Sequence, residues 1–261
     1  RLTMTQIVGF AGKKQSGKNT ACNYILALKL AELGVCKKSR LSGKGTVEVS
    51  DIFGETLDDK EWFEFSDKNL NVSKLFEDHL GSYIRIYGLA DTLKDLCVDV
   101  LGLTYEQAYG TDKDKNSKTN ILWEDTPTWQ NSSLNKNRGN MTAREVLQYV
   151  GTDFYRKLDP NVWINSLLRK IKKDKPEVAL ICDVRFKNEI TELQKEGAYI
   201  LGLTRDPYSK GDQHTSEKEI EEGLSLCDCV CDNANADVKD SIRMIHNGLS
   251  VLPNVIPRME K

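Results

Sequence analysis

The sequence has little of what a membrane protein or a nucleic-acid-coating protein would show. No apolar run approaches the length that crosses a bilayer, and no signal-peptide pattern opens the chain. The formal net charge is only −2, which argues against a surface that serves mainly to bind duplex nucleic acid. We therefore expect neither a membrane nor a nucleic acid as the main partner.

Histidine is also scarce, and the cysteines do not form a recognisable framework. With three histidines in the chain, no convincing Ser-His-Asp or Cys-His set can be assembled. The seven cysteines are odd in number and several lie in apolar runs, which fits reduced thiols in a cytosolic compartment. Cys227, Cys229 and Cys231 alternate along a predicted strand without a CxxC pair, so we interpret them as buried thiols rather than metal ligands.

What is present is the composition of an ordinary globular protein. The 261 residues are 39% hydrophobic and 29% charged. A chain of this length can bury a large core, either as one domain or as one domain with a lid.

The most informative stretch runs from Gln6 to Thr20. An apolar run over residues 7–11 predicts a buried strand, and apolar residues at helical spacing from Ala21 predict a helix that ends at Gly34. The loop between them fits the pattern G-x-x-x-x-G-K-[ST] except at its last position, which is Asn19.

This loop pattern has a physical rationale as a phosphate site. Gly12 and Gly17 let the backbone wrap closely and aim N–H groups at a polyphosphate, and the helix N-terminus adds partial positive charge. Lys18 can reach the outer phosphates, and Thr20 follows one step after the usual hydroxyl position. The alternative is an ordinary glycine turn, but the strand before the loop and the helix after it favour phosphate binding.

Strand and helix patterns alternate along most of the chain. This order predicts a mostly parallel five-stranded sheet with helices on both faces and a site at the carboxyl ends of the strands. The buried strands are predicted near residues 7–11, 83–88, 178–182, 198–203 and 226–231.

The strand at 178–182 delivers a carboxylate to its carboxyl end. Asp183 follows the apolar run directly, as in a Walker B element, where a carboxylate contacts Mg²⁺ or its waters. Arg185 comes two residues later. Together with a phosphate loop, the pair indicates a site for phosphoryl chemistry.

Two stretches are less regular than the rest. Residues 37–82 contain a basic loop at 37–45 and a short strand near 47–52, and we interpret them as an insertion with a satellite hairpin. After the run from Gly110 to Lys115, about 25 residues rich in Asn, Ser, Lys and Thr show no periodicity. The segment 104–140 is therefore either a lid or acceptor-binding segment, or a disordered insertion.

Capping signals mark the starts of further helices. Capping boxes are predicted at Thr104, Thr142 and Ser216, and Asp159 followed by Pro160 predicts another helix start. The helix from Thr142 is expected to be interrupted at residues 151–152.

Arg144 and Trp163 each leave two interpretations open. Arg144 lies near a helix N-terminus, where anions are favoured, but it could instead form a surface ion pair with Glu145 or Asp153. Trp163 stands at helical spacing with apolar neighbours, so it could simply belong to the core.

A set of motifs in fixed order carries a resemblance to a known family. From residue 6 to about 245, the sequence resembles the deoxynucleoside monophosphate kinases of tailed bacteriophages, with residues 37–82 left uncovered. The motifs are Gly12-Lys-Lys-Gln-Ser-Gly17-Lys18-Asn-Thr20, Leu89-Ala-Asp-Thr-Leu93-Lys94-Asp95, Gly110-Thr-Asp112-Lys-Asp114-Lys115, the run from Arg144 to Asp153, the helix start from Asp159 to Trp163, Cys182-Asp183-Val-Arg185 with Glu189, and His214-Thr-Ser-Glu217.

The resemblance implies a fold, an activity and a setting. It implies one kinase domain over residues 4–257, an α/β three-layer fold of the P-loop NTPase type with a lid or insertion region. The implied reaction moves the γ-phosphoryl group of ATP, with Mg²⁺, onto a deoxynucleoside 5′-monophosphate to give the diphosphate for phage DNA replication. The implied partners are small-molecule substrates, a homodimer is a compatible assembly, and the setting is the cytoplasm, that of the host cell if a phage encodes the chain.

The resemblance also assigns roles to residues by position. The ATP phosphates would contact Gly12, Ser16, Gly17, Lys18, Asn19 and Thr20, and the acceptor would contact Lys14, Lys115, Arg144, Gly151, Thr152 and Trp163. The implied metal residues are Thr20 and Asp183, and the implied catalytic residues are Lys18, Arg144, Asp183 and Arg185.

Two positions depart from the family pattern. Asp is common where this chain has Asn19, and arginine is expected where it has Lys115. A lysine offers a point charge rather than a bidentate fork, which predicts looser phosphate recognition.

Three other functions fit part of the same sequence. Phosphomevalonate kinases share several of these motifs, so another small phosphorylated acceptor is one alternative. A P-loop protein that hydrolyses NTP without an acceptor is a second, and a non-catalytic nucleotide-binding protein is a third. A transfer assay with a panel of acceptors separates all of them.

Overall fold

The computed structural model describes residues 4–52, 62–65, 80–130, 137–206 and 222–256. His214, Ser216 and Glu217, including the capping box predicted at Ser216, lie outside these described residues.

The amino-terminal part of the chain, up to residue 142, contains in its described residues seven strands and, apart from the first helix, only short helices. In chain order they are β1 Gln6–Gly12, α1 Lys18–Glu32, β2 Cys36–Leu41, β3 Val47–Ile52, β4 Phe63–Phe65, β5 Ile84–Tyr87, α2 Asp91–Asp99, α3 Tyr105–Tyr109, α4 Asp112–Lys115, β6 Lys118–Leu122, a 3₁₀ helix Trp123–Asp125, α5 Pro127–Gln130 and β7 Asn140–Thr142.

The carboxyl-terminal part contains the longer helices after α1 and three strands. In the same order these elements are α6 Ala143–Gln148, a π-helix Tyr149–Tyr155, α7 Arg156–Leu158, α8 Val162–Asp174, β8 Val178–Val184, α9 Lys187–Lys195, β9 Tyr199–Leu203, β10 Cys229–Cys231 and α10 Val238–Leu249. In the described part of the chain, no helix has the length and apolarity that a bilayer crossing requires.

The chain divides into two compact units. The first contains residues 1–88 and 168–261, and the second contains residues 89–167. The single kinase domain expected over 4–257 stays a prediction.

The first unit is built on a parallel five-stranded sheet with the order β10-β9-β1-β8-β5. The central strand β1 pairs in parallel with β8, where Val8 faces Leu180, and with β9, where Val8 faces Tyr199. Because helices cover the sheet, β1 is buried on both faces, as its continuous apolar run predicts. The α/β fold with a parallel five-stranded sheet is therefore confirmed.

The apolar core of this unit joins the sheet to α1. Val8 and Phe10 of β1, Ile25 of α1 and Leu180 of β8 are all fully buried in one cluster. The helix places its apolar residues on one side because they recur at helical spacing. The sheet and α1 therefore hold the segment between them, residues 13–17, at a fixed place.

The prediction of a basic loop over residues 37–45 is wrong in its first part. Residues 36–41 form β2, which pairs antiparallel with β3, and β3 pairs with β4. The cross-strand hydrogen bonds and opposite charges outweigh the local charge density that suggested a loop. Arg40 lies opposite Glu48, and Arg40 Nε donates to its carboxylate at 2.8 Å.

The second unit contains secondary structure where the sequence showed no periodicity. The run from Gly110 to Lys115 contains α4, and the stretch after it contains the two-stranded sheet of β6 and β7. Side chains stabilise this pairing, because Thr119 Oγ1 donates to Met141 O at 2.9 Å and Asn140 Nδ2 donates to Thr119 O at 2.7 Å. The expectation of an irregular stretch is thus wrong, while the lid or acceptor-binding role of 104–140 stays a prediction.

Capping boxes were predicted well, but two helix limits were not. The boxes at Thr104 with Gln107 and at Thr142 with Glu145 are both formed. Residues 151–152 do not interrupt the helix that Thr142 opens, since it continues as the π-helix into α7. The next helix begins at Val162 rather than at Pro160, and Asp159 Oδ1 accepts the backbone N–H of Asn161 just before it.

We predict that Gly9→Ala destabilises the first unit. A Cβ at this position on β1 would lie 2.7 Å from Ile200 Cδ1 and 3.3 Å from Val184 Cγ2, inside a closed core. Overpacking of this kind lowers the free energy of unfolding by about 1–3 kcal/mol, which urea denaturation would measure. Gly43→Ala is the matched control, because nothing lies within 4 Å of its added methyl group. Equal midpoints for both variants would contradict the prediction.

Candidate functional site

The loop after β1 needs glycine at both ends. Gly12 has a φ of +150°, and a Cβ there would lie 2.6 Å from both Leu203 O and Ser16 Oγ. Gly17 has a φ of +104° and is the N-cap residue of α1. These conformations are strained for other residues, so the glycine pattern reflects how tightly the loop turns.

The N-terminus of α1 is uncapped by any side chain. Gly17 offers no side-chain acceptor, and the first turn of α1 contains no acidic residue. The first N–H groups of a helix have no partner within the helix, and the helix dipole adds positive charge there. This end of a 15-residue helix is therefore suited to bind an anion.

Lys18 lies beneath the loop and is almost fully buried. Its Nζ donates to Gly12 O at 2.7 Å and to Lys13 O at 2.5 Å. Burial lowers the pKa of Lys18 to about 8, with a smaller lowering from the positive charge of Arg185 and an opposing effect of the Asp183 carboxylate. The ammonium group is thus held by loop carbonyls, and the charges of Asp183 and Arg185 both act on it.

Asp183 is half-buried near the end of β8, which extends one residue beyond it to Val184. Arg185 follows in the turn before α9 and is exposed. The buried carboxylate of Glu189 holds this turn, because its Oε2 accepts the backbone N–H of Arg185 at 2.8 Å and that of Phe186 at 3.0 Å. Glu189 is the third residue of α9, so its carboxylate makes one half of a capping box, while Phe186 at the N-cap has no side-chain acceptor for the other half.

Asn19 and Thr20 occupy different sides of the first turn of α1. Asn19 is exposed, whereas Thr20 is half-buried. Thr20 faces the β2–β3 hairpin, since a Cβ built on Gly45 would lie 2.6 Å from Thr20 Oγ1. Lys14, in the middle of the loop, is exposed.

Two residues that the sequence does not mark as candidates contact the loop between β1 and α1. Asn233 Nδ2 donates to Ser16 O at 2.9 Å, and Asp206 Oδ2 lies 2.7 Å from Lys13 Nζ. Both follow strands of the parallel sheet, β10 and β9 respectively. Their distance from the loop along the chain left no local signal that could have identified them.

Arg144 belongs to the second unit and sits in the first turn of α6. Its Nη2 lies 2.7 Å from Asp112 Oδ1, and its Nε donates to Asn116 Oδ1 at 2.9 Å. The ion pairs considered with Glu145 or Asp153 are therefore replaced by one with Asp112. Glu145 instead accepts the backbone N–H of Thr142 in the capping box, and Asp153 lies near Lys157.

The other acceptor candidates of the second unit lie around the same helices. Lys115 is half-buried on α4, the helix whose first residue contacts Arg144, and Thr152 is exposed. Trp163 is buried in the core of this unit and its Nε1 donates to Gly151 O at 3.1 Å. This agrees with a core position for Trp163, while its role toward an acceptor stays a prediction.

The predicted residues thus form two groups. The loop residues Gly12–Thr20, with Asp183 and Arg185, belong to the first unit. The candidates Lys115, Arg144, Gly151, Thr152 and Trp163 belong to the second.

Comparison with known proteins shows which family the chain belongs to. The family model described as deoxynucleotide monophosphate kinase matches residues 6–240. A protein of Acanthamoeba polyphaga mimivirus, provisionally named deoxynucleotide monophosphate kinase, is 29% identical over 158 residues, which are 55% of this chain and 71% of that protein. The deoxynucleoside-5′-monophosphate kinase of Escherichia phage T5 is 46% identical over 50 residues, which are 19% of this chain and 20% of the phage protein.

Because the family match extends from residue 6 to residue 240 of 261, this chain belongs to the deoxynucleotide monophosphate kinase family and is a phosphotransferase.

Proposed function

We propose that the chain transfers the γ-phosphoryl group of ATP to a deoxynucleoside 5′-monophosphate, giving ADP and the deoxynucleoside diphosphate. The observation that carries this proposal is the uncapped N-terminus of α1 together with the buried Lys18 ammonium group, which the loop carbonyls hold. Phosphoryl transfer asks the protein mainly to position two substrates and to compensate spread negative charge. The segment from Gly12 to Asn19 supplies positive potential that compensates this negative charge, and it contributes no nucleophile to the reaction.

Lys18 would stabilise the charge of the outer ATP phosphates. Its Nζ now donates to the carbonyls of Gly12 and Lys13, and these contacts are replaceable by phosphate oxygens, which are stronger acceptors because they are charged. Since the site around Lys18 is largely shielded from water, the electrostatic gain from each contact is larger than at an exposed lysine.

Asp183, near the end of β8, offers one carboxylate of the hard oxygen type that Mg²⁺ prefers, and the nucleotide phosphates and waters would supply the remaining ligands. Asp183 would hold the ion or its waters, and the ion would compensate charge on the transferring phosphoryl group. The Thr20 hydroxyl lies against Gly45 of the hairpin, which makes Thr20 the weaker candidate for contact with the metal ion. Asn19, in the same turn of α1, has an exposed amide and is the better candidate. We therefore assign Asp183 and Asn19 to the metal and its phosphates, with Thr20 as the alternative residue.

Arg144 would bind the phosphate of the acceptor. Its side chain is 45% exposed and pairs with Asp112, whose side chain is 66% exposed, and such exposed pairs add little stability. A phosphate group can therefore replace Asp112 at low cost and form two parallel hydrogen bonds with the guanidinium. Lys115, Lys14, Gly151, Thr152 and Trp163 are the further proposed acceptor contacts.

The direct test is a transfer assay with ATP and Mg²⁺. The panel of acceptors contains deoxynucleoside monophosphates, ribonucleoside monophosphates and phosphomevalonate, and each product is identified by mass. We expect a deoxynucleoside diphosphate and ADP in equal amounts. ADP release without any phosphorylated acceptor would instead show hydrolysis, and turnover with phosphomevalonate alone would replace the proposed acceptor.

We predict that Lys18→Ala lowers kcat/KM for transfer by about 10²- to 10³-fold or more, the loss typical when one preorganised donor to the transition state is removed. Lys29→Ala is the matched control, because Lys29 is a buried lysine of the same helix that pairs with Glu32. It should affect stability more than transfer. Wild-type turnover in Lys18→Ala would overturn the phosphate-loop assignment.

We predict that ATP affinity falls as pH rises from 7 to 9. The free protein loses the Lys18 proton with a pKa of about 8, and a bound polyphosphate favours the charged form and raises that pKa. Binding above pH 8 therefore takes up a proton, and Kd for ATP should increase by about tenfold over these two pH units. Calorimetry in buffers of different ionisation enthalpy measures both effects. In Lys18→Met the residual affinity should lose this dependence, and the same profile in both proteins would contradict the assignment.

We predict that Arg144→Met acts on the acceptor and not on ATP. The methionine keeps much of the side-chain stem but removes the guanidinium, whose charged hydrogen bonds contribute about 1.5–3 kcal/mol. KM for the deoxynucleoside monophosphate should rise by about tenfold or more, kcat should fall, and KM for ATP should change little. Arg169→Met, at an exposed arginine of α8, is the control. Equal losses for both substrates would indicate a general defect, and no loss would leave Arg144 as a surface ion pair.

A further inference from the structure

Asn233 is a buried polar residue that the proposed reaction does not use. It stands two residues after β10, and its side chain is only 1% exposed. A buried amide without hydrogen-bond partners would lower the stability of the fold. The groups that Asn233 contacts therefore indicate why an amide stands at this position.

Both ends of the Asn233 amide contact backbone groups of other segments. Nδ2 donates to Ser16 O at 2.9 Å in the phosphate loop, and Oδ1 accepts the backbone N–H of Arg205 at 2.9 Å after β9. Only one orientation of the amide satisfies both contacts, because Ser16 O needs a donor and the Arg205 N–H needs an acceptor. An aspartate of the same shape could make the second contact but would place an oxygen against Ser16 O.

The contact with Ser16 O fixes the orientation of the whole peptide group between Ser16 and Gly17. In a trans peptide the C=O and the N–H of the next residue point in opposite directions. Asn233 draws the Ser16 carbonyl toward itself, and the Gly17 N–H of the same peptide is therefore aimed the other way. Gly17 is the left-handed N-cap of α1, a conformation that glycine would leave easily without such a restraint.

A second contact ties the same loop to the same region. Lys13 Nζ and Asp206 Oδ2 are 2.7 Å apart, and their side chains are only 13% and 20% exposed. Arg205 and Asp206 are adjacent, so the segment after β9 is connected to the phosphate loop once directly and once through Asn233. The loop conformation thus depends on residues outside the loop.

We propose that Asn233 is a positioning residue for the donor nucleotide, which holds the phosphate loop in the conformation that binds ATP phosphates. This inference rests on the proposed function of that loop. Without the Asn233 contact, the loop occupies the binding conformation for a smaller fraction of the time, and the affinity for ATP falls in proportion.

The test compares Asn233→Asp and Asn233→Ala with Asn235→Asp in the full chain. Asn235 is exposed in the same turn, so its variant adds the same charge without touching the loop contact. We expect Kd for ATP to rise by about tenfold or more in Asn233→Asp and by a smaller factor in Asn233→Ala, as for a lost buried hydrogen bond. KM for the deoxynucleoside monophosphate should stay within about twofold, a split that general destabilisation would not produce.

Each outcome decides the proposal. Wild-type ATP affinity in both Asn233 variants would overturn it, as would an equal loss in Asn235→Asp, which would point to charge alone. If Asn233→Asp does not fold, the result for Asn233→Ala decides. If neither variant folds, the proposal is overturned, because Asn233 is then required for folding of the whole unit and not only for the conformation of the loop. A wild-type chain that binds no ATP would remove the proposed function and this inference together, whereas unchanged variants of an active wild type remove only the inference.

Discussion

The ammonium group of Lys18 is buried, and this constraint accounts for how the phosphate loop is built. A buried cation needs acceptors, and the carbonyls of Gly12 and Lys13 provide them. Carbonyls that turn toward Lys18 leave the N–H groups of the following residues on the opposite side of the loop. The loop therefore has one face of carbonyl groups, which holds Lys18, and an opposite face of N–H groups. Gly12 and Gly17 at its two ends allow the backbone to turn this tightly.

The parallel sheet alone brings the residues that contact this loop to one edge, where the loop lies. Four neighbouring strands, β8, β1, β9 and β10, end at one edge, since parallel strands share the direction of their carboxyl ends. Each contributes one component: Asp183 at the end of β8, Gly12 at the end of β1, Arg205 after β9 and Asn233 after β10. Residues far apart in the chain become neighbours because the strand order, rather than the sequence, decides which ends lie side by side.

Local signals in the sequence were sufficient for much of the fold, including the loop between β1 and α1. The five strands, the phosphate loop and two capping boxes depend on residues within a few positions of one another. The strand β2 and the pairing of β6 with β7 were not predicted, because their hydrogen bonds come from partner strands and not from their own polar residues. The same limit explains Asn233 and Asp206, whose contacts with Ser16 and Lys13 join opposite ends of the chain. Roles of individual residues toward the acceptor stay predictions.

The division of the chain also has a consequence for its synthesis. The first unit is discontinuous, and β1 finds its partners only in the carboxyl-terminal part, where Gln6 pairs with Val178. The second unit, residues 89–167, is continuous and is synthesised before those partners. During translation the apolar central strand β1 therefore remains unpaired while the second unit folds. Contacts of such high sequence separation form slowly, so the phosphate loop is among the last parts of the molecule to become functional.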